Sequence, residues 1–213
     1  MGIEASSPPP WDLTGSGYIL LYRLPREMAQ QYVPHGEYLG GLSVAMFVEY
    51  TGSNVGPYHE VLFIPGRIRY PGGEGYSITR IYVSTMESVV NGITNWGIPK
   101  QLASFEKSGV DLYTERMQVS AGGEAPLIDA AFTVGGIRFP AYGAFLPPVV
   151  QFRDGQTFVT RIKATGQAQF ASLVKLETRG DGFPPLEFFT PLAALKISGF
   201  TMTFPVPEIQ RAD

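Results

Sequence analysis

Apolar and polar positions alternate with period two along much of this 213-residue chain. Side chains of a strand point to opposite faces in turn, so this alternation marks half-buried strands. Residues 76–83 (YSITRIYV) are the clearest case, while 17–24 (GYILLYRL), 42–50 (LSVAMFVEY) and 58–64 (YHEVLFI) are more continuously apolar, as buried strands are. Further strands are predicted at 102–107, 110–120, 127–134, 169–178 and 195–204. Asp154-Gly155, between VVQFR and QTFVTRI, has the composition of a two-residue hairpin turn. The period changes in two places. Pro25 opens a short helix over 26–32, with proline where its missing N–H is harmless. Ser84-Thr85-Met86-Glu87 reads as a capping box, with the Ser84 hydroxyl accepting from the helix and Glu87 reaching back. Met86, Val89, Val90 and Ile93 then share a helical face, which predicts the longest helix over 85–95. Pro99 stops any continuation. The pattern predicts a mainly β (α+β) chain whose antiparallel sheet is curved or closed into a barrel. Residues 1–14 are expected to form a disordered Pro-rich leader, and 15–213 a single β domain.

Composition narrows the function. Twenty-five Gly and 18 Pro make up about a fifth of the chain, which suits many short strands and turns. A net charge of −3 provides no basic field, so no nucleic-acid partner is expected. No apolar run reaches the roughly 20 residues of a membrane span. The absence of cysteine excludes a disulfide framework, a thiolate zinc site and a cysteine nucleophile. Two histidines, His35 and His59, are too few for a histidine-rich metal site but leave a mixed carboxylate site open, and the chemistry read below implies neither a metal nor an organic cofactor. The N-terminal residues carry no basic and apolar signal, which predicts a cytoplasmic protein, although Gly2 and Ser6 fit the loose myristoylation pattern. Arg179-Gly180-Asp181 reads as a Gly-containing turn rather than an adhesion motif.

The segment with chemical potential is Asn95-Trp96-Gly97-Ile98-Pro99-Lys100. Lys100 follows a helix exit in which Gly97 permits close backbone approach and Pro99 fixes the turn. Trp96, Ile98 and Leu102 supply apolar neighbours. An apolar wall disfavours the ammonium form and lowers the lysine pKa. The neutral amine then adds to a carbonyl and forms a Schiff base. The alternative is an exposed lysine that lays its stem over Trp96.

Tyr82, Gly92, Pro99, Lys100 and Leu102, together with Gly56-Pro57-Tyr58-His59-Glu60 upstream, resemble the acetoacetate decarboxylase superfamily. The resemblance spans roughly 18–106. It implies that family's β-barrel or cone fold, with one substantial helix before the Pro-Lys pair. It also implies Lys100 as the imine lysine and Glu60 as a pocket acid. Tyr58 shares the strand face of Glu60 and joins it as a catalytic candidate; with Glu60 facing the barrel interior Tyr58 does too, and His59 is then expected to point outward or into an interface. Arg80, Trp96, Ile98 and Gln101 are the substrate-binding candidates. Three positions depart from the decarboxylase pattern: Gln101 replaces a second lysine, Gly15 a pocket arginine, and Val44 or Ala45 a second glutamate. Such a set is similar to the aldolase-dehydratase members, which keep the lysine and vary its polar surroundings. The resemblance implies a homo-oligomeric lyase acting on a small or medium oxo compound, by decarboxylation or by aldol and dehydration chemistry. The alternative is a barrel that binds an apolar ligand without an imine, as a carrier, isomerase or cyclase.

Overall fold

The computed structural model describes residues 7–111, 113–123, 125–143, 147–180 and 182–211. Gly2, Ser6 and Asp181 therefore lie outside the described residues, and with them the myristoylation and adhesion motifs. The first half of the chain holds β1 (Trp11–Tyr22), α1 (Arg26–Gln30), β2 (Glu37–Gly40), β3 (Ser43–Gly52), β4 (Tyr58–Ile64), β5 (Arg67–Tyr70), β6 (Gly73–Tyr76), β7 (Arg80–Val83) and α2 (Met86–Trp96). The second half holds β8 (Gln101–Leu102), β9 (Ser104–Gly109), β10 (Thr114–Ser120), β11 (Ile128–Tyr142), β12 (Val149–Arg153), β13 (Gln156–Thr160), β14 (Lys163–Thr178), β15 (Ala193–Phe204) and β16 (Glu208–Arg211). A 3₁₀ turn lies at Leu186–Phe188.

Ten strands form one sheet in the order β8-β7-β4-β3-β1-β15-β14-β11-β10-β9. Its two edges, β8 and β9, are separated in sequence by Ala103 alone. Two edges joined by one residue cannot lie far apart, so the sheet curls into a nearly closed barrel. Neighbouring strands are antiparallel except β7 and β8, whose parallel pairing follows from the α2 crossover between them. A second sheet of six strands, β16-β13-β12-β6-β5-β2, lies in the same chain. Asp154 and Gly155 turn the β12–β13 hairpin with φ of 50° and 70°, as two residues in a type I′ turn must.

One core cluster fills the inner face of the barrel, drawing Tyr18 and Leu20 from β1, Phe47 from β3, Phe63 from β4, Val119 from β10 and Phe132 from β11. A second cluster lies on the opposite face of β1, β3, β4 and β7, where Leu13, Tyr50, Tyr58, Leu62 and Ile81 meet Trp96 of α2. The strands thus carry two buried faces, which is why they read as nearly continuous apolar runs. Among the described residues, no helix is long and apolar enough to cross a membrane.

Four local expectations change. The first strand starts at Trp11, inside the expected leader, because Trp11 and Leu13 continue the burial alternation past Gly15 and Gly17 and pair with β15. The α2 cap is Thr85, whose side chain accepts from Ser88 N–H at 3.4 Å. Ser84 serves the sheet instead, accepting from His59 N–H at 2.9 Å. The most buried positions of α2 are Ser88, Asn91, Gly92 and Trp96 rather than Met86, Val89, Val90 and Ile93. Ser88, Asn91 and Gly92 form a small and polar face, Trp96 packs into the core, and Met86 is 42% exposed.

Trp11 locks the start of the chain onto α2. Its indole meets Trp96 edge-on at 5.1 Å and donates to the Ser7 carbonyl at 3.0 Å. Trp96 in turn packs edge-on against Phe204 and donates to the Pro205 carbonyl at 2.8 Å. Trp11→Ala is expected to lower the unfolding free energy by about 3–5 kcal/mol, as loss of a fully buried aromatic does. Urea denaturation measures it, and a loss below about 1 kcal/mol would show that residues 7–14 do not anchor the fold.

Candidate active site

Lys100 reaches its position by a short reversal after α2. Gly97 ends the helix with φ of 67°, in the left-handed region that glycine tolerates without strain. Its N–H returns to Ile93 O at 3.0 Å, and Ile98 N–H to Gly92 O at 3.3 Å. Pro99 then forbids helix, and Lys100 folds its side chain back across α2. There it needs Gly92. A Cβ at that position would stand 2.6 Å from Lys100 Cδ and 2.8 Å from Cε. The stem therefore lies directly on the helix backbone.

The ammonium is buried and fully engaged. Lys100 Nζ donates to Glu60 Oε2 at 2.8 Å and to Ser88 Oγ at 3.0 Å. It stands 5.1 Å from the centre of the Tyr58 ring. The other oxygen of Glu60 accepts from the Tyr50 hydroxyl at 3.0 Å. The Lys100 and Glu60 side chains are only 6% and 5% exposed, so both charges are out of water. Strand alternation places Tyr58 and Glu60 on this face, and the β3–β4 register sets Tyr50 opposite Tyr58. The two rings lie 4.5 Å apart.

Electrostatics here correct the sequence expectation. Burial alone pushes the Lys100 amine down, but the charge of Glu60, then that of Tyr58, and the Glu60 hydrogen bond outweigh it. The amine is held above the ordinary lysine value of 10.5 rather than below it. Burial pushes Tyr58 up to about 12, against the pull of Lys100. Burial first, then the Glu60 charge, drives Tyr50 well above the usual tyrosine range.

Several expected residues lie elsewhere. Gln101 is exposed, and Leu102, 47% exposed, forms no wall around the amine. Trp96 and Ile98 are buried, but Trp96 serves the Trp11–Phe204 stack and Ile98 the core behind α2. Arg80 belongs to the inner barrel face with Tyr82, one step out of phase with Ile81. Its guanidinium donates to Thr79 O at 2.9 Å and lies 5.3 Å over the Tyr32 ring, so it does not join the Lys100 cluster. Glu60 and Tyr58 face α2 rather than the barrel interior. His59 takes the inner side, half-buried against Phe105 instead of pointing outward. That inner face carries its own ion pairs, Lys107–Glu49 at 2.6 Å and Lys196–Glu115 at 2.9 Å. Among the described residues, no three His, Asp or Glu side chains converge as a metal site.

Tyr50 and Ser88 are members of the cluster that sequence reasoning missed. Ser88 precedes Gly92 by four residues and so shares its helix face, a signal hidden by attention to the apolar face. Gly92→Ala is expected to leave the fold intact, since alanine favours helix by about 1 kcal/mol. It must also push the Lys100 stem away from Glu60 and Ser88. Acetic anhydride labelling read by peptide mass spectrometry should then find Lys100 modified faster than in the wild type. Equal protection in the two proteins would show that Gly92 does not position the lysine.

Comparison with known proteins places this arrangement in context. The sequence matches the acetoacetate decarboxylase (ADC) family over residues 3–187. A sequence search of curated proteins gave no match. Among solved structures, the chain superposes on acetoacetate decarboxylase from Legionella pneumophila subsp. pneumophila str. Philadelphia 1 with TM-score 0.75 and 16% identity, over 98% of this chain and 90% of that one. An acetoacetate decarboxylase-like enzyme from Sphingomonas wittichii RW1 gives TM-score 0.71 and 12% identity, over 100% and 97%. The enduracididine biosynthesis enzyme MppR, solved in complex with pyruvate, gives 0.66 and 14%, over 95% and 91%. The structural likenesses establish a shared fold. With the family match spanning most of its length, the chain belongs to the acetoacetate decarboxylase family.

Proposed function

We propose that this protein is a lyase that forms a Schiff base between Lys100 and a small or medium oxo compound. The observation that carries the reading is the buried contact of Lys100 Nζ with Glu60 Oε2 at 2.8 Å, beside Tyr58 and Tyr50. A protonated amine cannot attack a carbonyl, so the ammonium must first lose its proton. Glu60 is within transfer distance.

Glu60 takes the proton from Lys100 Nζ, and the nitrogen lone pair attacks the carbonyl carbon. The attacking nitrogen, now positively charged with two hydrogens, passes one of them to the former carbonyl oxygen, and the proton returned by Glu60 then releases that oxygen as water. The product is an iminium, which accepts the electron pair of a breaking α-bond and passes to an enamine. Decarboxylation, aldol cleavage, and aldol addition with dehydration all run through that enamine. Tyr58 and Tyr50 move or hold protons at the substrate oxygen in this reading, which their contact with each other and the Tyr50 hydrogen bond to Glu60 support. The reading extends to a cytoplasmic homo-oligomer. Ile137 and Tyr142 on β11 and Phe170 on β14, each more than 60% exposed, support the oligomer because such apolar surface is usually covered.

Lys100→Arg tests the chemistry without stranding the Glu60 charge, because a guanidinium remains a cation and stays protonated. With a panel of oxo compounds and borohydride, the wild type is expected to gain a reduced adduct on the peptide containing Lys100, and Lys100→Arg none. An adduct confined to Lys196 or other lysines would refute the assignment. Ligand binding across the panel with no adduct would instead favour the apolar-ligand barrel.

A further inference from the structure

Resting on the Schiff-base reading and narrowing it to its aldol branch, because a compound without a free carboxylate has no CO2 to lose, we propose that the Lys100 site takes an uncharged carbonyl compound, an aldehyde, ketone or ester-bearing ketone, and rejects oxo acids in their carboxylate form. The hydrogen bonds and ion pair of the cluster run among Lys100, Glu60, Ser88 and Tyr50, with the Tyr58 ring beside the ammonium. Among the described residues, one positive and one negative group face each other there, and the remaining partners are hydroxyls. An iminium formed from a neutral carbonyl keeps that balance, because its positive charge replaces the ammonium opposite Glu60. An oxo acid adds a second carboxylate to a site where Glu60 already occupies the cation. Hydroxyl donors alone would have to hold that excess negative charge out of water, which is strongly unfavourable.

The neighbouring arginines are committed elsewhere. Arg80 is held on the inner barrel face by Thr79 O and the Tyr32 ring. Arg153, against the far end of α2, donates to Ile93 O at 2.8 Å and pairs with Asp154 at 3.0 Å. Gly15 cannot supply a cation by simple replacement either. A Cβ there would sit 2.1 Å from the Glu49 carbonyl oxygen, inside the β1–β3 pairing. The position that holds a pocket arginine in the decarboxylase pattern is therefore closed to any side chain unless the strands part.

The test compares each oxo acid with its own methyl ester, so that only the charge differs. Levulinate and methyl levulinate form one pair, pyruvate and methyl pyruvate the other. Each is incubated with the full-length protein and borohydride, and adduct formation is followed on the Lys100 peptide. Rates are divided by those of Nα-acetyl-lysine, which removes intrinsic differences in carbonyl reactivity. The esters should label Lys100 on the order of 100-fold faster than the acids, the scale expected for stranding a charge in a buried site. Glu60→Gln removes the competing negative charge, so the ester preference should shrink several-fold even where absolute rates fall. A merely steric preference would not respond to that change. Acids that label Lys100 as fast as their esters would overturn the charge argument while leaving the Schiff-base reading standing. No labelling of Lys100 by any of the four compounds would overturn both.

Discussion

The buried pair of Lys100 and Glu60 is the interaction on which the rest of the site depends. Taking two charges out of water is costly, and the cost is recovered only when geometry is close and the remaining donors and acceptors are satisfied. Each neighbour answers one of those demands. Ser88 gives the ammonium a second acceptor, and Tyr50 gives the carboxylate a second donor. Gly92 removes the Cβ that would hold the lysine off the helix, and Gly97 with Pro99 turns the chain back at the required point. Removing either charge alone strands the other, which typically costs about 3–5 kcal/mol. The helix, the strand and the reversal are therefore coupled through one ion pair.

That coupling also decides how the lysine can become a nucleophile. Desolvation by apolar walls is one way to obtain a neutral amine, but here a carboxylate at 2.8 Å opposes it. The resting protein keeps an ammonium, and the proton has to move to Glu60 when substrate arrives. Strand alternation keeps this device separate from the second set of charges. Glu60 and His59 are adjacent in β4 yet face opposite sides, so the Lys107–Glu49 and Lys196–Glu115 pairs belong to the barrel interior.

Much of this was legible in the residues. Nearly continuous apolar runs located β3 and β4 around Glu60, period-two alternation located β7 beside them, and Asp154-Gly155 located a hairpin, because these signals are local. The helix before Pro99-Lys100 was readable too, though its buried side was not. Periodicity reports apolar residues, and α2 buries Ser88, Asn91 and Gly92 against polar partners. Asn91, for instance, accepts from Ser7 N–H at 2.9 Å, a contact across 84 positions that no local pattern encodes. The start of β1 was obscured for a similar reason, since Gly15 and Gly17 interrupt the apolar pattern where β1 lies close to β3. The direction of the Lys100 shift was out of reach because it depends on Glu60, 40 residues away in sequence. Local neighbours such as Leu102 pointed to desolvation, and the fold turns Leu102 to solvent.

The most direct measurement is the protonation of Lys100 itself, followed by NMR of protein carrying ¹³Cε-labelled lysine and assigned with Lys100→Arg. A folded pKa raised above the unfolded value means that the pair stabilises the protein below about pH 10.4. That contribution is lost only as pH rises through the higher folded value. The account predicts a Lys100 resonance that stays in the ammonium form through neutral pH and beyond the range of the exposed lysines. A resonance that titrates near or below neutrality would contradict it, because the amine would then be free of Glu60 and activated by desolvation alone.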